Sequence, residues 1–140
     1  MNKAERMHSV HALLHPKGWK QAEGYAHAVV AKGRLVFVAG QVGWNAEQRF
    51  DGSDFVLQAR QALANIVTLV AEAGGRPEHI TRLTWFVVDK HEYLSCLGEL
   101  GEAYRSVMGK HFPAMTLVQV AGLVEHGAKL EIEATAVVPD

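Results

Sequence analysis

At 140 residues the chain is long enough for one hydrophobic core, and we expect a single domain over residues 1–140. The formal net charge is −1 and the basic residues are scattered, which argues against a nucleic-acid partner. No apolar run reaches the roughly 20 residues that span a bilayer, so no membrane partner is expected. The single cysteine excludes an internal disulfide and, together with an N-terminus that lacks a signal-peptide pattern, favours a cytoplasmic location.

Six runs rich in β-branched or aromatic residues, bounded by glycine, proline or aspartate, predict strands. In chain order they cover residues 8–14, 25–31, 34–42, 80–88, 114–123 and 129–138, and the first two have the weakest pattern.

Two helices are predicted between these strands. The first covers residues 53–73, with Ser53 as N-cap and Gly74-Gly75 as the stop. Its apolar positions fall three or four residues apart, on one face: Ala59, Ala62, Leu63, Ile66, Val70 and Ala73. The second begins at Asp89, with Glu92 placed to complete a capping-box-like pair, and ends at Gly109.

The element order is therefore β-β-β-α-β-α-β-β. It predicts an α/β (α+β) fold with a mixed sheet of about six strands, two βαβ crossovers and both helices on one face of the sheet. In the strand over residues 34–42, Val36 and Val38 are apolar on one face and Leu35 and Phe37 on the other. A second apolar face without a covering layer indicates contact with another copy of the chain.

Two groups of reactive side chains have ordinary structural interpretations. His8, His11 and His15 lie close in sequence, but neighbouring positions of an extended segment face opposite ways, so we expect no metal site. Cys96 lies in the second predicted helix beside Leu97 and is expected to be a core thiol.

The last predicted strand carries two carboxylates on one face. Glu131 and Glu133 alternate with apolar residues and share the face that we assign to the contact between copies. The pattern alone leaves two alternatives open: a charge at an interface or in solvent, or a carboxylate that lines a pocket between subunits.

Six segments carry a resemblance to a known family. They are "GYAHAV" (24–29), "VFVAGQVG" (36–43), "QARQALANI" (58–66), "AEAGG" (71–75), "FPAMT" (112–116) and "LEIEATAV" (130–137). The chain resembles the Rid family (reactive intermediate deaminase, also called YjgF or endoribonuclease L-PSP-like). The resemblance implies a chorismate-mutase-like fold and a homotrimer whose sheets form a central barrel. It also implies small-molecule pockets at the subunit interfaces, without a metal or cofactor.

The resemblance also implies an activity and a site. The best-known members hydrolyse 2-imino or 2-enamino acids to 2-keto acids and ammonia, and an arginine two residues after the proline of "FPA" binds the substrate carboxylate. Glu131, with the backbone carbonyl near Leu117, would position the attacking water. Tyr25 and the backbone of Gly40 and Gln41 would complete the pocket.

This sequence departs from that pattern at three positions. Met115 stands in the place of the arginine, Ala39 where the family usually has serine, and His27 where it often has glutamine. We therefore expect a divergent subgroup, in which Met115 and Trp44 make the pocket larger and more apolar. If a carboxylate is still bound, Arg105 or a lysine of a neighbouring subunit must hold it.

The predicted function is hydrolysis of an imine, enamine or related reactive metabolite, with Glu131 and Tyr25 as catalytic residues and an altered substrate range. The alternative is a non-catalytic small-molecule binder or sensor that uses the same pocket. Ribonuclease activity, which the family's older name suggests, is the least favoured function because the chain carries no basic surface pattern.

Overall fold

The computed structural model describes residues 10–140. The strands are β1 (Ala12–Leu14), β2 (Ala28–Val30), β3 (Arg34–Val42), β4 (Ile80–Val87), β5 (Ala114–Gln119) and β6 (Leu130–Val138). The helices are α1 (Phe55–Glu72), α2 (Lys90–Ser95) and α3 (Leu97–Met108), and a short 3-10 turn, Pro77–His79, precedes β4. The α+β class and the strand–helix order are thus as predicted. The predicted strand over residues 8–14 begins outside the described residues, and His8 lies outside them.

The strands form two sheets, whereas the sequence pattern predicts one sheet of about six strands. β3, β6, β4 and β5 form a four-stranded sheet in that order, and β1 and β2 form a separate antiparallel pair. β6 is antiparallel to β3 and β4, and β5 is parallel to β4. β1 and β2 are only three residues long, and Gly33, with φ of 150°, turns the chain sharply between β2 and β3.

Helix α1 closely matches its predicted span. Its cap is Asp54 instead of Ser53: the Asp54 carboxylate accepts a hydrogen bond from the Leu57 amide at 3.0 Å. After the helix, Gly74 adopts φ of 80°, the left-handed conformation that glycine allows at a helix end. The buried face of α1 comprises Phe55, Gln58, Ala59, Ala62, Leu63, Ile66 and Val70.

The second predicted helix is broken into α2 and α3. Asp89 caps α2 by accepting from the His91 amide at 2.9 Å, as expected for a start at this residue. The expected capping box with Glu92 is wrong, because the Glu92 carboxylate binds Lys129 Nζ at 2.6 Å. Cys96 separates the helices with φ of −131°, and it is therefore not mid-helix. Its half-buried thiol lies against the Glu92 carbonyl, and burial, with Glu99, Glu92 and Asp54 nearby, raises its pKa.

The four-stranded sheet has one covered face and one open face. The covered face packs on α1 and α3; its buried side chains include Val38, Leu83, Trp85, Val87, Leu130, Ile132, Ala134 and Ala136. The open face carries Leu35, Phe37, Thr84, Phe86, Thr116, Val118, Glu131 and Glu133. On that face, Phe37 is 76% exposed and Leu35 62% exposed. The apolar residues of the open face lie in the position predicted for a contact with another copy.

The start of α1 is tied to the segment before β6 by Gln58, which is 2% exposed. Its side-chain nitrogen donates to the carbonyl of Gly127 at 3.0 Å, and its oxygen accepts from the Lys129 amide at 2.8 Å. Gly43 lies so close to Gln58 that a side chain at position 43 would overlap it. Among the helices within residues 10–140, none has the length and apolar character needed to cross a membrane.

Candidate functional site

One group of predicted site residues lies between β5 and α3. Tyr25, Met115 and Leu117 line a cavity of about 580 Å³, which we call the edge pocket. Its other lining residues are Glu23, Gly24, Trp85, Tyr93, Leu97, Leu100, Gly101, Tyr104, Arg105 and Phe112. The volume falls within the roughly 300–1,000 Å³ typical of small-molecule pockets.

The strand register accounts for the floor of the edge pocket. β5 is an edge strand, and Met115 and Leu117 lie beside Leu83 and Trp85 of β4, on the covered face. Tyr25 is brought to the same edge because its neighbour Ala26 donates to the Pro113 carbonyl at 3.0 Å. The pocket is thus built at the edge of the sheet, where the helical layer ends.

A second group lies at the bulge in β3. The pairing of β3 with β6 shifts between Val38 and Gln41, which leaves Gly40 as an irregular residue beside Glu131. A Cβ atom at position 40 would overlap the Glu131 carboxylate, so only glycine lets this carboxylate pack on the strand backbone. The Gln41 side chain donates to the Ala39 carbonyl at 3.0 Å. We call Gly40, Gln41 and Glu131 the bulge group.

The two groups occupy opposite faces of the sheet. Glu131 pairs with Phe86, which in turn lies beside Val118, so all three belong to the open face. Met115 and Leu117 belong to the covered face. Within one chain, therefore, the bulge group does not meet the edge pocket, and the predicted site residues are not brought into one cavity.

His27 and Trp44 lie outside both groups. The ring centroid of His27 is 5.0 Å from that of Trp19 and 5.3 Å from that of Tyr25, and His27 lines a separate small cavity with Arg82. Its Nε2 atom is buried without a hydrogen-bond partner among residues 10–140. Trp44 packs on Phe50 at 5.9 Å, in the loop after β3.

Most lining residues of the edge pocket are absent from the site predicted by sequence, among them the aromatic residues Trp85 and Tyr93. Trp85 falls inside a strand pattern, where an aromatic residue is ordinary, and Tyr93 falls on a helix face. The Trp85 ring is 4% exposed, and its Nε1 is buried without a hydrogen-bond partner in the described part of the chain. No sequence signal distinguishes these two from core residues.

The wall of the edge pocket near α3 is held by an aromatic stack. Tyr104 and Phe112 stack with centroids 5.3 Å apart and planes 10° from parallel. The Tyr104 hydroxyl donates to the His111 carbonyl, and burial raises the pKa of Tyr104 far above its usual range. Tyr104 therefore contributes ring surface and not an ionisable group.

Two of the three histidines that lie close together near the start of the sequence contact backbone carbonyls. His11 Nε2 lies 2.8 Å from the Val137 carbonyl oxygen, and His15 Nε2 lies 2.9 Å from that of Trp19. Across residues 10–140, no three histidine, cysteine or acidic side chains are grouped as metal ligands.

The sequence is similar to a protein-family model and to several other proteins. The family model of endoribonuclease L-PSP matches residues 17–138. A RutC family protein of Haemophilus influenzae is 32% identical over 125 residues, which are 89% of this chain and 95% of the relative. A 2-iminobutanoate/2-iminopropanoate deaminase of Escherichia coli is 33% identical over 105 residues, 75% of this chain and 80% of the relative.

Solved structures have the same fold. The Rid-family protein YyfB from Yersinia pestis superposes with a TM-score of 0.81 at 29% identity and covers 91% of this chain and 98% of its own. The YjgF gene product of Escherichia coli gives a TM-score of 0.64 at 32% identity and covers 81% of this chain and 87% of its own. The match to the family model and the identity to these relatives establish that this chain belongs to the endoribonuclease L-PSP family, also known as the Rid or YjgF family.

Proposed function

We propose that this chain hydrolyses an imine or enamine to a carbonyl compound and ammonia, with a substrate range altered by Met115. The observation that carries the proposal is the Glu131 carboxylate held against Gly40 at the β3 bulge. A relative named as a 2-iminobutanoate/2-iminopropanoate deaminase, at 33% identity, supports the reaction class.

The reaction needs a positioned base and a donor to nitrogen. Glu131 would orient water and accept its proton as the oxygen attacks the imine carbon, which is general-base work suited to a half-buried carboxylate. In the resulting amino alcohol, the proton taken up by Glu131 goes to the nitrogen; the C–N bond then breaks as the hydroxyl oxygen forms the carbonyl and loses its own proton, and the nitrogen leaves as ammonia. Tyr25 would donate a hydrogen bond to that nitrogen or to a substrate oxygen. The proposed mechanism uses no metal ion or cofactor.

The complete site, in this proposal, lies between subunits of a homotrimer. Glu131 and Met115 are on opposite faces of the sheet, so a cavity that contains both needs a second copy of the chain. The exposed Leu35 and Phe37 on the open face support such a contact. The bulge group of one subunit would then meet the edge pocket of its neighbour.

Met115 is the reason to propose an altered range. It lines the edge pocket with an uncharged side chain where family members carry the carboxylate-binding arginine. Loss of one partner of a buried charge pair costs roughly 2–5 kcal/mol, enough to make a small 2-imino acid a poor substrate.

The same observation favours a second candidate function. A pocket without an arginine at position 115 can still bind a small molecule without turning it over, and the chain would then be a binder or sensor. We do not propose RNA as substrate, because the net charge of −1 offers no electrostatic attraction to a phosphate backbone.

The test is ammonia release from a panel of freshly generated imines, with Glu131→Gln as the paired variant. Release by the wild type that falls at least about a hundredfold in Glu131→Gln supports the hydrolase, since a general base contributes roughly 10²–10⁴-fold. Equal release by both proteins contradicts it. No release, with a small molecule retained on the purified protein and seen by mass spectrometry, favours the binder.

A further inference from the structure

The edge pocket contains a cationic side chain that comes from a helix and not from β5. Arg105 of α3 lines the same cavity as Met115. Among residues 10–140 its guanidinium has no ion-pair or hydrogen-bond partner, although Glu23 lines the same cavity. An unpaired guanidinium at a pocket wall is a ready ligand for a carboxylate, because its planar donors match the two oxygens.

Arg105 is an exposed residue whose guanidinium lies close to the helix at Gly101. Arg105 lies one turn after Gly101, and a Cβ atom at position 101 would be 3.2 Å from Arg105 Nη1. The guanidinium therefore lies over the helix backbone at Gly101, which also lines the pocket. Glycine inside a helix costs about 1 kcal/mol relative to alanine, and here it provides the space that the guanidinium occupies.

The remaining walls are largely aromatic. Five of the lining side chains carry rings: Tyr25, Trp85, Tyr93, Tyr104 and Phe112. Met115 adds a polarisable thioether, which packs well against rings. The buried Trp85 Nε1 has no partner within the described residues, so a ligand acceptor that reached it would satisfy a donor that otherwise raises the energy of the folded state.

We propose that the edge pocket selects a carboxylic acid with an aromatic or similarly bulky apolar group, with Arg105 as the carboxylate anchor and specificity-determining residue. The inference rests on the proposed function in one respect: the substrate would then be an aromatic 2-imino acid. Glu23, opposite in charge to Arg105, lines the same cavity and would attract the protonated imine nitrogen of such a molecule. In this proposal the carboxylate is bound by an arginine of helix α3 instead of an arginine of strand β5. The apolar group of the ligand occupies the space near Met115.

The probe is phenylacetate, compared with its neutral analogue phenylacetamide and with acetate, by titration calorimetry on the full-length protein. The wild type should prefer phenylacetate over the amide by about tenfold, the effect of one charge-assisted hydrogen bond. It should also bind acetate at least about tenfold more weakly than phenylacetate, because acetate leaves the aromatic walls unfilled.

Three variants test the role of Arg105. Arg105→Gln should remove the preference for the acid over the amide. Gly101→Ala keeps the charge and favours the helix, and the new methyl group moves the guanidinium only slightly, so it should weaken phenylacetate binding by no more than a few fold. Arg60→Gln, on the exposed side of α1, removes the same charge outside the pocket and should keep the preference. Circular dichroism checks that each variant is folded.

Two results would overturn the inference: a preference for the acid that survives in Arg105→Gln, or acetate bound as tightly as phenylacetate. Its failure can be told apart from failure of the proposed function. Imine hydrolysis that depends on Glu131 but not on Arg105 leaves the hydrolase and refutes the anchor. Phenylacetate binding that depends on Arg105, without hydrolysis of any imine, supports the anchor and refutes the hydrolase.

Discussion

The two faces of the four-stranded sheet are made by the same strands but differ in burial. On the covered face, Leu83, Ile132 and Ala136 are fully buried under the helices. On the open face, Phe37 is 76% exposed and stands near carboxylates and threonines. Burial within one chain stabilises the first face, whereas the second retains apolar surface that only an external contact can cover.

The difference explains why the candidate site is divided. The edge pocket belongs to the covered face, where packing between α3 and β5 shapes a cavity. The bulge group belongs to the open face, where Glu131 needs no place in a core. A chain that keeps its core on one face is free to place a charged group on the other.

Assembly gives the largest expected effect. The wild type should have a mass of about three times 15.3 kDa by light scattering, because in the proposed homotrimer other copies would cover the open face. Phe37→Asp should abolish association by placing a charge in the centre of that contact. Val124→Asp, at a loop residue that is 98% exposed, is the matched control and should leave the mass unchanged. A wild type that is monomeric at micromolar concentration would remove the site between subunits.

Shortening one apolar side chain on each face compares how the covered face and the open face contribute to stability. Ile132→Ala should lower the free energy of unfolding by about 2–5 kcal/mol, measured by urea denaturation, at any protein concentration. Leu35→Ala, on the open face of the neighbouring strand, should have an effect that depends on protein concentration, since it weakens association instead of the core. Concentration-independent losses of equal size would show that the two faces do not differ as described.

The identity of residue 115 gives the third prediction. The wild type should be a poor catalyst on 2-iminobutanoate and 2-iminopropanoate, and Met115→Arg should gain activity by recovering part of roughly 2–5 kcal/mol. The recovery should be partial, because the new arginine loses hydration in the pocket and Ala39 and His27 also differ from the family pattern.

The control for Met115→Arg is Leu97→Arg, which adds the same charge elsewhere in the edge pocket and should give no gain. Activity is measured as ammonia release on each imine. If the wild type already hydrolyses these imines as fast as Met115→Arg, another group such as Arg105 serves small substrates as well.

Acidification should weaken the covered side of the sheet by a smaller amount than Ile132→Ala. Burial lowers the pKa of His79, helped by Arg76, and burial also lowers the pKa of His111, against the opposing effect of its hydrogen bond to the Ile80 carbonyl. Because both folded-state values are depressed, the stabilising contribution is complete above the unfolded value of about 6.5 and is lost as pH falls below it. Urea midpoints between about pH 7.5 and about pH 5 measure this loss.

A variant assigns that loss to the buried imidazoles. His111→Gln should reduce the dependence of the urea midpoint on pH, whereas His91→Gln, at an exposed position, should leave it unchanged. An identical pH dependence in wild type and His111→Gln would show that other groups cause it.

The smallest effect is expected at His27. Histidine is the side chain whose charge changes most readily near neutral pH, but His27 lies outside the edge pocket, between the rings of Trp19 and Tyr25. Phenylacetate binding by the wild type and by His27→Gln should therefore be equal from about pH 5.5 to about pH 8. A difference that appears only at the acidic end would place His27 in contact with the ligand.

The sequence pattern predicts much of the fold because its signals are local. Alternation and turn residues predict both ends of β3 correctly. Asp89 correctly marks the start of α2, and Gly74 marks the end of α1. The separation of β1 and β2 into their own sheet is not predicted, because strand length and partner choice depend on distant residues. The break at Cys96 is not predicted either, and the pairing of Glu92 with Lys129, 37 residues away, is likewise invisible to a local pattern.

The candidate site is predictable only where a motif carries it. Glu131 and Met115 belong to segments that match the family, and the sequence places both in one pocket; that they lie on opposite faces of the sheet is known only from the strand register. The contributions of Trp85 and Tyr93 depend on how α3 packs beside β5, which no spacing within one strand or helix encodes. The position of the Arg105 guanidinium beside Gly101 is known only from the structure.

The position of β6 has a consequence for synthesis of the chain. β6 follows the other strands in sequence, yet it lies between β3 and β4 and pairs with both. Until residues 130–138 leave the ribosome, β3 and β4 have no central partner, and the apolar residues of two strands stay exposed on the nascent chain. We therefore expect the sheet to form late, after long loops have closed, and the nascent chain to depend on chaperones until β6 is inserted.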